Sequence, residues 1–517
     1  MNFPHGQLSI HPQGELKTLE NRELDLAGNE PLVVDTPGGR YQVEWDDSAP
    51  LTPTGQLVFF AQFLKVAELF SRFCADAPFG YKSNNAPEVR DVLGSLLLSV
   101  LAGHSRYAHL TALRFDTVTP AVLGMSKVVS EDSARRSLER LDRAKAQDWQ
   151  CGHLRACWEP LLGEDWILDI DSTVKTVYGK QEGAQVGYNP HKPGRPSHTY
   201  HTYWIARIRI CLDVEVRSGK EHAGKYGMPG LWKLIDSLPR QSWPKFLRGD
   251  CAYGNQENMS AAEERGMSYL FKLRQTRNVK ELVRRLETFG GWCNAGQGFE
   301  GAEGELQLTG WDKKRRVIVL RRQRKAQEKK PALPLLAGAE EWDIQSGDYE
   351  YMVLVTNLPY GIETTAQLYR DRADSENPFD ELKNQWGWGG FTTSDFERCQ
   401  IMARTIALIY NWWSLFVRLL CPHKHSEAIT SRPMMMGGVA RQTEHAGQKK
   451  LTISLSHGKA EEIKGMVRAA CQFLKDVIAV AEQLSQPERW RCILSRIFVK
   501  YLQGRMLAGP APAVMSG

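Results

Sequence analysis

The sequence predicts an α/β protein: a mixed sheet flanked by helices, with a β-rich insertion and helical regions at both ends. Three observations lead there. Apolar residues recur at helical spacing through 55–160 and again after 361. From Trp166 the pattern changes to short alternating runs, as in Trp166-Ile167-Leu168-Asp169-Ile170-Asp171, interleaved with brief helical segments. Residues 276–361 then read as strands joined by Gly- and Lys-rich loops.

The elements follow in order. Residues 1–54, rich in Pro, Gly and acidic side chains, read as an irregular arm. Residues 55–160 read as a helical domain. Leu57-Val58-Phe59-Phe60, Phe63-Leu64 and Leu69-Phe70 mark one helical stretch, and Val89–Leu101 marks another. A further helix starts after Ser130, an N-cap with Glu131 and Asp132 in the first turn, and it carries Arg135 and Arg136. The helix pair around Pro120–Asp142 fits a DNA-reading helix-turn-helix, and it fits plain three-helix packing equally.

The core spans 161–421. Strands are expected at Trp166–Asp171, Thr173–Tyr178, Tyr203–Val216, Phe246–Asp250 and Tyr269–Leu273, with a Pro/Gly/basic loop at Gly187–Ser197. The insertion 276–361 carries strands at Leu306–Thr309, Arg316–Arg322 and Tyr349–Asn357. A long helix is expected over Thr364–Gln385 and another over Arg398–Cys421. Residues 422–450 read as a linker within a C-terminal region, 422–517, that ends in helices. The apolar faces of Arg398–Leu420 and Ile463–Leu502 suit a partner, so dimerisation is expected there.

Bulk properties narrow the function. A chain of 517 residues suggests about three domains. With 42% hydrophobic and 24% charged residues it can bury substantial cores. The net charge of +6 is uneven: Lys272–Lys330 holds 16 Lys and Arg against 7 Asp and Glu, a net of +9, so the remainder is slightly acidic. A concentrated positive field suits phosphate. The ten cysteines form no CxxC pair and suit a reducing compartment. No signal peptide is visible, and the apolar run Ile406–Leu420 is interrupted by Asn411 and Arg418. The expectation is a soluble, cytoplasmic, nucleoid-associated protein with no membrane partner.

Three acidic positions stand out: Asp171 at the end of an apolar strand, Asp250 closing Arg248-Gly249-Asp250, and Glu376 in Tyr369-Arg370-Asp371-Arg372-Ala373-Asp374-Ser375-Glu376. Carboxylates at strand exits lie where open α/β sheets place their ligands. Three of them can hold a pair of Mg²⁺ ions that clamp both oxygens of a phosphodiester exchange. Asp169 alternates onto the same face as Asp171, and spacing leaves the choice between them open. Tyr369, Arg372, Glu376 and Lys383 fall along one face of a continuous helix, although Pro378 interrupts it or restarts it.

Tyr369-x2-Arg372-x3-Glu376-x6-Lys383, with Asp171-Ser172-Thr173 and Arg248-Gly249-Asp250 before it, resembles the signature of bacterial insertion-sequence DDE transposases. The resemblance covers about 160–421. It implies a ribonuclease-H-like core with a β-strand insertion before the Glu, and Asp171, Asp250 and Glu376 as catalytic metal ligands. It also implies Mg²⁺, for which Mn²⁺ substitutes, and a homodimer on the double-stranded DNA of transposon inverted repeats and target. By the same resemblance Tyr369, Arg372 and Lys383 contact DNA, and an aromatic of the insertion (Trp292, Trp311 or Trp342) stacks on a flipped base. Trp311 is the first choice, because Lys313, Lys314, Arg315 and Arg316 adjoin it. The implied activity is cut-and-paste transposition. A structure-selective nuclease, a DNA-binding derivative without catalysis and a glycosidase are the readings it competes with.

Overall fold

The computed structural model describes residues 32–44, 46, 49–324, 349–423, 425–455, 458–480 and 483–507, plus the backbone of strands Leu8–Ile10, Leu16–Thr18 and Gln345–Ser346. Of residues 32 and 373–377 it describes the backbone only. Met1–Ala49 and Pro50–Gly517 are separate compact units. The first contains two antiparallel strand pairs, Leu8–Ile10 with Leu16–Thr18 and Leu32–Thr36 with Gly39–Val43, so the expected irregular arm includes β-structure.

The second unit begins with helices α1 (Leu57–Val66), α2 (Leu69–Ala75), α3 (Val89–Leu101), α4 (Glu131–Glu139) and α5 (Arg143–Trp158). Ser130 caps α4 as expected, its hydroxyl accepting from Ser133 N–H. The main sheet follows: β1 (Ile167–Thr176), β2 (Pro196–Ile205) and β3 (Ile210–Ser218), then β4 (Phe246–Gly249) and β5 (Ser268–Lys272). Helix α6 (Met228–Asp236) precedes β4, and α7 (Gln256–Glu264) joins β4 to β5. The expected strand Tyr203–Val216 is two strands, because the chain reverses at Ala206–Arg209, where Arg207 and Arg209 take positive φ of 68° and 51°.

After helix α8 (Arg277–Phe289) come β6 (Cys293–Gly296), β7 (Phe299–Leu306), β8 (Arg315–Gln323) and β9 (Tyr349–Thr356). The sheet order is β3-β2-β1-β4-β5-β9-β8-β7-β6, parallel at β1/β4 and β4/β5 and antiparallel elsewhere. The strands expected as an insertion therefore continue the main sheet. Their apolar runs pair on the edge of β5, which would otherwise leave its ladder groups unpaired. Pro50–Gly517 is one compact unit, so no expected boundary inside it separates independent bodies.

The chain then forms α9 (Ile362–Arg370), α10 (Ala373–Asn384), α11 (Phe396–Leu420) and α12 (Ala428–Met435). Next come the hairpin β10 (Val439–His445) and β11 (Gln448–Ser454), then α13 (Ala460–Ala479) and α14 (Gln486–Ile497). Much of the expected linker 422–450 is thus regular structure, with β10 paired to Leu51–Thr52. Nearly every side chain of α11 is buried, and α13 packs its apolar stripe on α1 and α11. The apolar faces expected to meet a partner subunit are covered inside this chain. Among the described residues no helix is long and apolar enough to cross a membrane.

Strand β3 ends the sheet, and α11 closes that edge. Asn411 accepts from Cys211 N–H (3.0 Å) and donates to Cys211 C=O (2.8 Å). About three turns earlier on α11, Gln400 accepts from Val216 N–H and donates to Val214 C=O, and about two turns earlier Arg404 grips Asp213 at 2.8 Å. Two side-chain amides stand in for a neighbouring strand. Asn411→Leu should leave a buried N–H and C=O unpaired and cost about 2 kcal/mol. Gln400→Leu, less buried, should cost less. Urea unfolding midpoints test both, and unchanged midpoints would remove this account of the edge.

Candidate active site

Alternation places Asp169, Asp171, Thr173 and Lys175 on one face of β1, all buried, with Leu168 and Ile170 on the other. Burying such a row requires partners. Asp169 receives Arg248 of β4 through both oxygens, at 2.5 and 2.7 Å, and each side chain is 1% exposed. Arg248 also donates to Leu368 C=O on α9. Asp171 accepts from its neighbour Ser172 N–H (2.7 Å) and from Arg372 (2.5 Å). Lys175 donates to Gly390 C=O. Each of the two aspartates is thus held by an arginine of its own, Asp169 by Arg248 and Asp171 by Arg372, with Asp169 the more deeply buried of the two.

Register sets Gly249 beside Ile170 on the parallel pair β1/β4. Asp250 follows the last paired residue of β4, as Asp171 follows Ile170 on β1. Arg372 sits where the fields of Asp171, Asp250 and Asp169 overlap. Burial opposes its charge, but these carboxylates hold its pKa well above the ordinary guanidinium value. Asp250 accepts from Ala252 N–H at 2.9 Å and, among the described residues, has no ion pair.

The helix expected as continuous over Thr364–Gln385 is two helices. It breaks at Asp371-Arg372, before Glu376, and Pro378 lies inside α10. The side chain of Arg372 reaches Asp171 there. Tyr369 is buried with Phe246, Leu270 and Leu320, so neither it nor Arg372 offers a surface for DNA in this structure. Glu376 falls one turn after Arg372 on α10, and its side chain lies outside the described residues. Lys383, near the end of α10, is half-buried and feels Asp171. Burial lowers its pKa, with Asp380 and Asp171 opposing.

A cleft of about 720 Å³ opens beside these groups. Asp250, Ser172 and Thr173 line one side, and Asp171 is buried next to Ser172. Lys220, Lys272, Arg274, Lys280 and Lys383 supply five cations, against Glu221 and Asp250. Sequence reading singled out Lys383 alone of these. Lys272, Arg274 and Lys280 were visible only as part of the basic segment, and nothing in the sequence tied Lys220 to them.

Asp171 and Asp250 offer oxygen donors, the kind a hard divalent cation takes, and Asp250 has no ion pair among the described residues. Among the described residues no three His, Cys, Asp or Glu side chains group closely enough to form a metal site. The third carboxylate expected, Glu376, is the one whose side chain is outside them.

Residues 55–462 match the family model described as "Transposase DDE domain group 1". The chain belongs to this transposase family. No curated protein matches it. A solved structure, the cryo-EM structure of the piggyBac transposase synaptic complex with hairpin DNA, aligns at 11% identity with a TM-score of 0.38, over 89% of this chain and 87% of that one.

The other basic residues of this transposase are placed differently from expectation. Trp311 is buried beneath Arg315, at 5.4 Å from guanidinium to ring, so its ring is covered in this structure. Trp292 lies under Arg321, and Trp342 is outside the described residues. Arg315, 2% exposed, is bound to Glu263 on α7 (2.9 Å), and Arg316 to Glu303 through both oxygens. Arg321 and Arg322 meet Glu300 and Glu350 across the strands. Much of the basic segment's charge is therefore matched within the sheet. Lys313 and Lys314 are exposed, Lys313 reaching Glu263 at 2.9 Å. On α4, Arg135 pairs with Glu131 and covers Tyr107, while Arg136 is exposed.

Asp169→Asn should leave the Arg248 guanidinium buried without its counter-charge and cost about 3 kcal/mol, read as a lower urea midpoint. An unchanged midpoint would restore Asp169 as a functional candidate. A second test uses pH. Burial opposes ionisation of Glu263, but Arg315, Lys313 and Tyr269 together lower its pKa to about 2 from 4.5. A depressed folded-state value means the stabilisation is complete above about pH 4.5 and is lost as pH falls toward 2. Stability measured from pH 6 to 2 should show that loss, and Arg315→Ala should flatten it.

Proposed function

We propose that this chain is a DNA transposase that cleaves the inverted-repeat ends of its own mobile element and joins them to target DNA by cut-and-paste. The observation that carries the reading is the juxtaposition of Asp171 and Asp250 at adjacent parallel strands, beside a cationic cleft, within a transposase DDE chain. The strand order, with β2 and β3 antiparallel on one side of β1 and β4 and β5 parallel on the other, supports a ribonuclease-H-like core.

Asp171, Asp250 and Glu376 are the residues that would hold divalent metal, Mg²⁺ or Mn²⁺, which supplies charge stabilisation to the exchanging phosphate oxygens. The remaining work belongs to the chain itself. Arg372 holds Asp171 in place through its ion pair. Lys383, Lys220 and Lys280 neutralise phosphates at the cleft and set the strand against Asp250. Lys313, Lys314 and Arg136 are exposed cations suited to duplex phosphates outside it. The partner is double-stranded DNA at both stages. A homodimer on that DNA would need surfaces other than the apolar faces of α11 and α13.

The test is cleavage and joining on a plasmid carrying the DNA that flanks this gene. Release of the flanked segment is expected with Mg²⁺ or Mn²⁺ and not with EDTA. Asp171→Asn, Asp250→Asn and Glu376→Gln should each reduce it by at least about a hundred-fold, with end-DNA binding retained. Binding without cutting by the unaltered protein would replace the transposase by a DNA-binding derivative.

A further inference from the structure

We propose that the cleft beside Asp250 is a binding site for single-stranded DNA, in which Tyr188 is the stacking platform and Lys220, Lys280 and Arg274 hold the backbone. This rests on the transposase reading and specifies the form of nucleic acid that the site accepts.

Four observations carry it. The cleft, about 720 Å³, is of the size that holds a small ligand, and so a nucleotide or two. Its wall is cationic. Among the described residues neither Lys220 nor Lys280 has a carboxylate within ion-pair distance, and Arg274 is exposed, touching His222 at 2.9 Å. An aromatic ring is present as well: Tyr188 lines the cleft and is 64% exposed. A basic groove combined with an exposed aromatic is how single strands are held, since unstacked bases offer a face that duplex bases do not.

The fourth observation is that Tyr188 stands on a fixed seat. A Cβ on Gly187 would lie 1.8 Å from Gly219 C=O, so the backbone there is pressed directly onto the chain after β3. On the other side Asn189, buried, donates to Thr176 Oγ1 at 3.0 Å and accepts from Lys192 N–H at 3.1 Å. An exposed ring between two anchored neighbours loses little freedom on binding. The same loop carries Lys192 and Arg195, both exposed.

The experiment is equilibrium binding of a fluorescein-labelled dT 12-mer to the full-length protein, beside an abasic 12-mer and a 12-bp duplex. The dT 12-mer should bind about ten-fold or more tighter than the abasic strand. Tyr188→Ala should remove that advantage and Tyr188→Trp should keep it, with duplex affinity the same in all three proteins. Lys220→Ala and Lys280→Ala should each shallow the log–log salt dependence for dT 12-mer by about 0.7. Tyr188 is exposed, so the variants should melt like the parent protein. Equal affinity for dT and abasic strands, or a Tyr188→Ala loss shared by the duplex, would overturn the assignment. Plasmid cleavage separates the two proposals. Cleavage without Tyr188-dependent strand binding sinks the cleft assignment alone. Strand binding with no cleavage sinks the transposase mechanism and leaves the cleft.

Discussion

The row of charges on the inner face of β1 governs how the rest of the core is assembled. Asp169, Asp171 and Lys175 lie buried where an ordinary strand would carry Val or Ile. Each is answered from a different part of the chain: Arg248 on β4, Arg372 at the α9–α10 turn, and Gly390 C=O beyond α10. A buried charge stripped of its partner is far more costly than the pair is stabilising. The segment 368–390 is therefore locked to β1 in one register. Arg372, held to Asp171, stands immediately before α10.

The helix is interrupted at the same place. Asp371 and Arg372 both keep right-handed helical angles there, and it is the side chain of Arg372 that reaches Asp171. The backbone retains one bond across the break, from Arg372 N–H to Tyr369 C=O at 3.0 Å. Tyr369 fills the space at the turn, and its ring is held in the smaller apolar cluster. The sequence pattern that looked like a DNA-gripping face acts here first as a device for holding a carboxylate.

The sheet is long because its charged strands are self-compensating. Arg315, Arg316, Arg321 and Arg322 each meet a glutamate on a neighbouring element, so the strands can join the main sheet without presenting a repulsive edge. At the opposite end α11 closes the sheet with amides from Gln400 and Asn411. At the cleft, Lys220 and Lys280 have no carboxylate within ion-pair distance among the described residues.

The sequence by itself determined the elements and two of the acidic positions. The Ser130 cap, the helix Val89–Leu101 and the strand leading to Asp250 were legible because capping, periodicity and alternation are local, whereas the strands expected to end at Asp171 and to begin at Thr173 are one strand, Ile167–Thr176, with Asp171 inside it. The signature around Glu376 was legible as a pattern of residue types. Tertiary structure decided the rest, because pairing between distant residues leaves no periodic trace. It assigned Asp169 rather than Asp171 to Arg248, turned Arg372 and Tyr369 inward, and buried Trp311 and Arg315. It merged the expected insertion into one sheet and gathered Lys220, Arg274 and Lys280 around Tyr188. A basic residue on a strand and one at a cleft look alike in sequence; only the position of the nearest carboxylate tells which is free to hold a phosphate.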